Sequence, residues 1–173
     1  MIKDNLVREG RWNERTNHMG VGLINKTLGI VGFGGIGREF VKISKGLFKN
    51  IICYDPFVGK EEMKNLQVDK VDFDEIANSS DFLVILCDLN EKTRGMIDST
   101  FLNKMKSSSY LINLSRGPVV NENDLIASLK QNKISGAGLD VMTNEPIEEN
   151  NELLNLKNTI LTPHSLCWTD ECF

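Results

Sequence analysis

No stretch of this sequence is both long enough and apolar enough to cross a bilayer, which takes roughly 20 residues. Its opening MIKDNLVREG lacks the apolar stretch of a signal peptide, so the expected compartment is the cytoplasm. Basic residues number 20 against 24 acidic ones and are scattered, leaving a formal charge of -4 and no basic face of the kind that nucleic acids need. The cysteines Cys53, Cys87, Cys167 and Cys172 show no C-x-x-C spacing. Cys53 and Cys87 sit in apolar runs, so core thiols are expected rather than a metal site or a disulfide. No internal repeat, low-complexity tract or Pro/Gly/Ser linker is present.

What is there suits one domain: at 173 residues the chain can bury roughly 70% of its unfolded surface. Apolar runs of strand length alternate with segments of helical period, the pattern of a parallel sheet covered on both faces. TLGIVGF, NIICYD, DFLVILC, SYLINLS, ISGAGLDV and NTILTP read as six strands. GREFVKISKGLF reads as a helix with Phe40, Val41, Ile43 and Leu47 on one side. Asp72, Asp98 or Ser99, and Asn121 are plausible caps of three further helices. The fold expected is a doubly wound α/β sheet in three layers, binding its ligand at the carboxyl ends of the strands. Residues 1–25 break the rhythm and read as a short helix and a polar arm.

GFGGIG, Gly32 to Gly37, has the spacing G-x-G-x-x-G between a strand and a helix. Gly32 permits a tight turn, Gly34 lets the backbone approach a pyrophosphate, and Gly37 lets helix pack on strand. Asp55 ends the next strand, where a carboxylate can accept the hydroxyls of an adenosine ribose and repel a 2'-phosphate. That predicts NAD rather than NADP. The alternative is a Gly-rich turn beside a surface Asp.

Three more residues fall at strand ends. Arg116, in NLSRGPVV, carries a planar fork that matches a carboxylate, with a surface salt bridge as its alternative. His164, in TPHS, can move a proton near neutral pH, and Glu145, before Pro146, is a candidate to orient it. A structural role is the other reading of this pair, and His18 in the arm is given no function.

With these blocks in hand, the chain resembles the nucleotide-binding domain of the D-isomer-specific 2-hydroxyacid dehydrogenases. The resemblance runs from TLGIVGFGGIG through NLSRGPVVNENDLIASL and GAGLDVMTNEP to TPH. It implies a Rossmann-type fold over 26–173, a helix and arm connector over 1–25, and a substrate domain absent from this chain. It implies an NAD-dependent oxidoreductase that interconverts 2-oxo acids and D-2-hydroxy acids. Arg116, Glu145 and His164 would be catalytic, the histidine moving the proton and the arginine holding the substrate carboxylate. Cofactor contacts would include Gly32, Gly34, Gly35, Ile36, Gly37 and Asp55. Cys87, Asp88 and Thr93 would lie near the adenosine, and Leu114, Ser115, Arg116, Asp140 and His164 near the nicotinamide. For Asp140 the alternative is a cap of its own loop.

Gly35 and Asp88 depart from the family's commoner residues, a larger side chain and Pro. The resemblance also implies a homodimer through this domain and its arm, with Trp12 buried in the partner or packed within its own chain. Phe173 then reads as the end of a fragment, expected to bind NAD and turn over poorly. An NAD-sensing corepressor-like interaction protein of the same fold is the alternative function.

Overall fold

Seven parallel strands form one sheet in the order β3-β2-β1-β4-β5-β6-β7 in the computed structural model, which describes residues 2–172. Phe173, read above as a fragment end, lies outside the described residues. The strands are β1 (Thr27–Val31), β2 (Asn50–Tyr54), β3 (Asp69–Lys70), β4 (Phe82–Ile85), β5 (Tyr110–Asn113), β6 (Gly136–Leu139) and β7 (Thr159–Leu161). The order reverses direction beside β1, which opens a crevice there at the carboxyl edge.

Because side chains alternate across a strand, each strand feeds two cores. Leu28 and Ile30 of β1, Cys53 of β2 and Val84 of β4 point to one face, where α2 (Gly35–Ser44) and α3 (Lys60–Lys64) supply Val41 and Met63. Val31, Ile52, Leu83 and Ile85 point to the other. There α4 (Phe73–Ser79), α5 (Ser99–Leu102) and α6 (Glu122–Lys130) supply Ile76, Phe101 and Leu125. This is the expected three-layer, doubly wound Rossmann arrangement. Leu83 and Ile85 are fully buried, so cutting either to Ala costs about 2–5 kcal/mol.

The expected caps form: the carboxylate of Asp72 accepts the Glu75 N–H, Asp98 accepts that of Phe101, and the amide oxygen of Asn121 accepts that of Asp124. The N-terminal segment holds α1 (Ile2–Arg8) and a 3-10 helix, Trp12–His18, that leaves Trp12 60% exposed.

Several expectations need correction. There are seven strands, not six, because β3 is a two-residue polar edge strand paired to Ile52 and Cys53. The face assigned to α2 also splits. Val41 is buried with Gly37 and Ser44, whereas Ile43 is 73% and Leu47 50% exposed. The helix ends at Ser44, and its inward side sets Val41 and the partly buried Phe40 beside the small residues Gly37 and Ser44, which allow close approach to the sheet. Of the cysteines only Cys53 is buried and Cys87 half-buried; Cys167 and Cys172 are exposed, and all four are free thiols. Among the described residues no helix is long and apolar enough to cross a membrane, and no group of three or more acidic, His or Cys side chains could hold a metal ion.

Candidate functional site

The residues expected to be catalytic or to touch the cofactor fall in the segments at the carboxyl edge of this sheet, beginning with the loop between β1 and α2. Gly32 has φ of +102°, a conformation that L side chains rarely adopt, and a Cβ there would lie 2.7 Å from the backbone nitrogen of Cys87. A Cβ on Gly37 would lie 2.4 Å from the carbonyl oxygen of Gly32. The inner side of the loop is therefore closed against β4 and itself. Its outer side is open, since a Cβ at Gly34 or Gly35 would meet nothing within 4 Å. Gly34 caps α2 without a side-chain hydrogen bond, which leaves the first-turn N–H groups and the helix dipole facing that space. Ile36 projects outward, 72% exposed, so only its backbone can serve an anion.

Asp55 closes the crevice from β2. Its Oδ2 accepts the Phe33 N–H at 2.8 Å and its Oδ1 the Phe57 N–H at 2.9 Å. A carboxylate has about four acceptor positions, so two remain for ribose hydroxyls. Open glycines, a free helix start and a carboxylate at the next strand fit a dinucleotide. Beyond β4, burial pushes the Cys87 thiol up to about 11 against the pull of its own backbone, and the charges of Asp88 and Asp55 add lesser pushes in the same direction as burial. It is a wall residue, not a nucleophile. Asp88 is exposed. Its carbonyl accepts the hydroxyl of Thr93 at 2.7 Å, which closes the loop.

The other half of the edge begins after β5. Buried Asn113, which sequence reasoning missed, shapes this turn: its Oδ1 accepts the Ser115 N–H at 3.1 Å and its Nδ2 donates to the Arg116 carbonyl at 3.0 Å. A lone Asn closing the apolar run SYLINLS was the available signal. Leu114 is half-buried and Ser115 buried. Arg116 is exposed, with Nη1 donating to the Ser115 carbonyl at 2.6 Å. Gly117 lies so close to the loop after β6 that a Cβ on it would sit 1.9 Å from the Met142 oxygen.

That next loop delivers Glu145, whose peptide bond to Pro146 is cis. Its Oε2 lies 2.8 Å from Nδ1 of His164, and its Oε1 accepts the Met142 N–H at 2.9 Å. The His164 hydrogen bond is the main reason that Glu145 titrates below the usual glutamate range. Partial burial opposes it, while the Met142 N–H and the charges of His164 and Arg116 support it. With Nδ1 held by the carboxylate, Nε2 is the ring nitrogen left for a ligand.

Asp140, buried at the end of β6, holds the loop that carries His164. Its Oδ1 accepts the Thr162 hydroxyl at 2.6 Å and the Ser165 N–H at 3.0 Å, and its Oδ2 accepts the Leu166 N–H at 3.3 Å. Its carbonyl accepts the N–H of His164 at 2.8 Å. His164 itself has φ of 50°, in the left-handed region, and these bonds hold it there. Burial alone would raise the Asp140 pKa, but the bonds from Thr162, Ser165 and Leu166 and the charge of His164 outweigh it and leave the group lowered. Asp140 thus caps the loop after β7 rather than its own. A cavity of about 450 Å³ lies beside the pair, walled by Met142, Ile147, Leu154 and Leu161.

The profile of the D-isomer specific 2-hydroxyacid dehydrogenase, NAD binding domain, matches residues 2–165. The chain is 39% identical over 168 residues to D-3-phosphoglycerate dehydrogenase of Archaeoglobus fulgidus, covering 97% of this chain and 32% of that one. It is 42% identical over 167 residues to glyoxylate reductase of Thermococcus litoralis, covering 93% and 50%. Among solved structures it is similar to the NAD-complexed D-isomer specific 2-hydroxyacid dehydrogenase of Lactobacillus delbrueckii ssp. bulgaricus. That match has a TM-score of 0.83 at 28% identity and covers 96% of this chain and 54% of that one. The chain therefore spans about a third to a half of the relatives it matches.

Proposed function

Since the chain belongs to the D-isomer specific 2-hydroxyacid dehydrogenase family and carries its NAD-binding domain, with NAD as cofactor, we propose that it is the cofactor half of an oxidoreductase that reduces 2-oxo acids to D-2-hydroxy acids and runs the reverse. The observation that carries this reading is the His164–Glu145 pair, 2.8 Å apart, on the same sheet edge as the open glycine loop. In this reading residues 1–25 are a connecting arm and 26–173 the cofactor domain, while a separate domain reads most of the substrate.

Gly34, Gly35 and the start of α2 hold the pyrophosphate, Asp55 the adenosine ribose, and Leu114 and Ser115 border the nicotinamide. When bound, NADH supplies the hydride that reaches C2 of the acid. His164 delivers a proton from Nε2 to the carbonyl oxygen as that oxygen takes up the C=O electron pair, and it removes the proton in the reverse direction. Glu145 fixes the ring and stabilises its charged form. Arg116 leaves Ser115 to grip the substrate carboxylate and offset charge on the oxygen.

The test is NADH-dependent reduction of hydroxypyruvate, with the configuration of the glycerate read by chiral chromatography. D-glycerate formation, however slow, should fall about 100- to 10,000-fold in His164→Ala. L-glycerate, or an unchanged rate in that variant, would sink the assignment. Two copies are further proposed to pair through α2 and the arm. Ile24 in the arm, Ile43 on α2 and Leu47 just after it are 74%, 73% and 50% exposed, apolar side chains that this pairing would cover.

A further inference from the structure

The connection from β5 into α6 does more than present Arg116, because the first residue of that helix reaches across to the segment that carries Glu145. Glu122, the first residue of α6, is half-buried. Its Oε2 accepts the Thr143 N–H at 3.2 Å and its Oε1 the side-chain amide of Asn151 at 2.8 Å. Thr143 precedes Glu145 and Asn151 follows it, so one carboxylate pins the excursion on both sides. Asn151 passes the restraint on, since its Oδ1 accepts the Leu153 N–H at 2.9 Å and Leu153 is fully buried. Gly117, in the same loop, fits against the Met142 carbonyl, and the Met142 N–H is the group that holds Glu145 Oε1.

We infer that Glu122 is a positioning residue that sets Glu145 against His164, so that the β5–α6 loop places the arginine and the glutamate as one unit. This rests on the reading of Glu145 and His164 given above, but it can fail separately from it. The two contacts on Glu122 are both N–H donors on different oxygens. A carboxylate satisfies both, whereas a glutamine offers one acceptor and turns an N–H towards the other donor. Removing the side chain leaves Thr143 and Asn151 to water and the Glu145 segment free to drift from Met142 and His164.

The experiment is a carboxyl-carbon NMR titration of Glu145 in the full chain, alongside Glu122→Gln and Glu122→Ala. In the unchanged chain Glu145 titrates below the ordinary glutamate value. It should move up towards that value in Glu122→Ala and part of the way in Glu122→Gln. Loss of negative charge alone would move Glu145 the other way, which separates positioning from electrostatics. Amide exchange at Met142 should rise in the same order. If Glu122→Ala does not fold, Asn151→Ala severs one of the two contacts and should match Glu122→Gln. An unmoved or lowered Glu145 in a folded variant overturns the inference, even if melting temperature drops. A Glu145 that responds, in a chain whose hydroxypyruvate reduction is unchanged by His164→Ala, leaves Glu122 as its brace and overturns only the catalytic reading.

Discussion

The carboxylate of Asp55 accepts the backbone N–H of Phe33 at 2.8 Å, so the acid that follows β2 is also a strut of the glycine loop after β1. Its replacement therefore does two things at once. Asp55→Ala removes a ribose acceptor and frees the loop, and a hydrogen bond to a charged group contributes about 1.5–3 kcal/mol. NADH affinity should fall roughly ten- to a hundredfold, and NADPH should gain little because its pyrophosphate needs the same loop. Asp55→Asn can keep its one acceptor on Phe33 by turning its N–H group towards Phe57, and it removes the charge, so it should narrow the gap between the two cofactors. Calorimetric titration of both variants with NADH and NADPH checks this. Equal narrowing in both variants would show that the strut is unimportant.

Two glycines of one motif should behave differently. Gly34 has φ of -73° and open space at its Cβ position, so Gly34→Ala should melt within about 1 kcal/mol of the parent and yet lose most NADH affinity, its methyl standing where the pyrophosphate fits. Gly37→Ala forces a Cβ onto the Gly32 carbonyl and should cost about 1–3 kcal/mol of stability as well as binding. Thermal melts run beside titrations separate the two. A Gly34→Ala chain that binds NADH normally would place the pyrophosphate elsewhere.

How far the residues could be read in advance follows from how local each cause is. Six strands were legible because an apolar run bounded by turn residues is a local signal, and the glycine spacing and caps are local too. β3 was not, since Asp69 and Lys70 form an edge pair with no apolar run to mark them, and α3 is a five-residue charged segment. The face of α2 was misjudged because apolar periodicity cannot say which flank meets the sheet; the small residues Gly37 and Ser44 decide it. The bonds that shape the site span the chain. Asp140 works on residues 22 to 26 positions away, and Glu122 on partners 21 and 29 away. Only the folded sheet edge brings them together.

Asp140 makes the stability of the His164 loop depend on pH. Its pKa is lowered in the folded state, because hydrogen bonds and the charge of His164 outweigh burial. Such a group stabilises the fold fully above its unfolded value of about 3.9, and that contribution is lost as pH falls through the lower folded value. Asp140→Asn should therefore lower the melting temperature at neutral pH, and the gap to the parent should close below about pH 4. Glu145 has the same sign, so the parent itself should soften in acid over a similar range. A gap that stays constant down to about pH 2 would mean that the ionised carboxylate is not what holds the loop.

The proposed pairing of two chains makes its own demand on α2. A stable interface buries roughly 800 Å² per partner, and Ile43, 73% exposed, sits on the outward side of that helix, while Leu47 and Ile24 line one hollow between the helix end and the arm. A glutamate at such a position costs little in a lone chain and is strongly unfavourable in an apolar contact that excludes water. Ile43→Glu should hold the chain as a monomer in sedimentation equilibrium with its melting temperature little changed, while the parent associates. Trp12 offers a second readout: in a Trp168→Phe background its fluorescence should shift to the blue as the parent pairs and stay red in Ile43→Glu. A parent that remains monomeric at high concentration, with Trp12 unmoved, would return the exposed face of α2 to some other use.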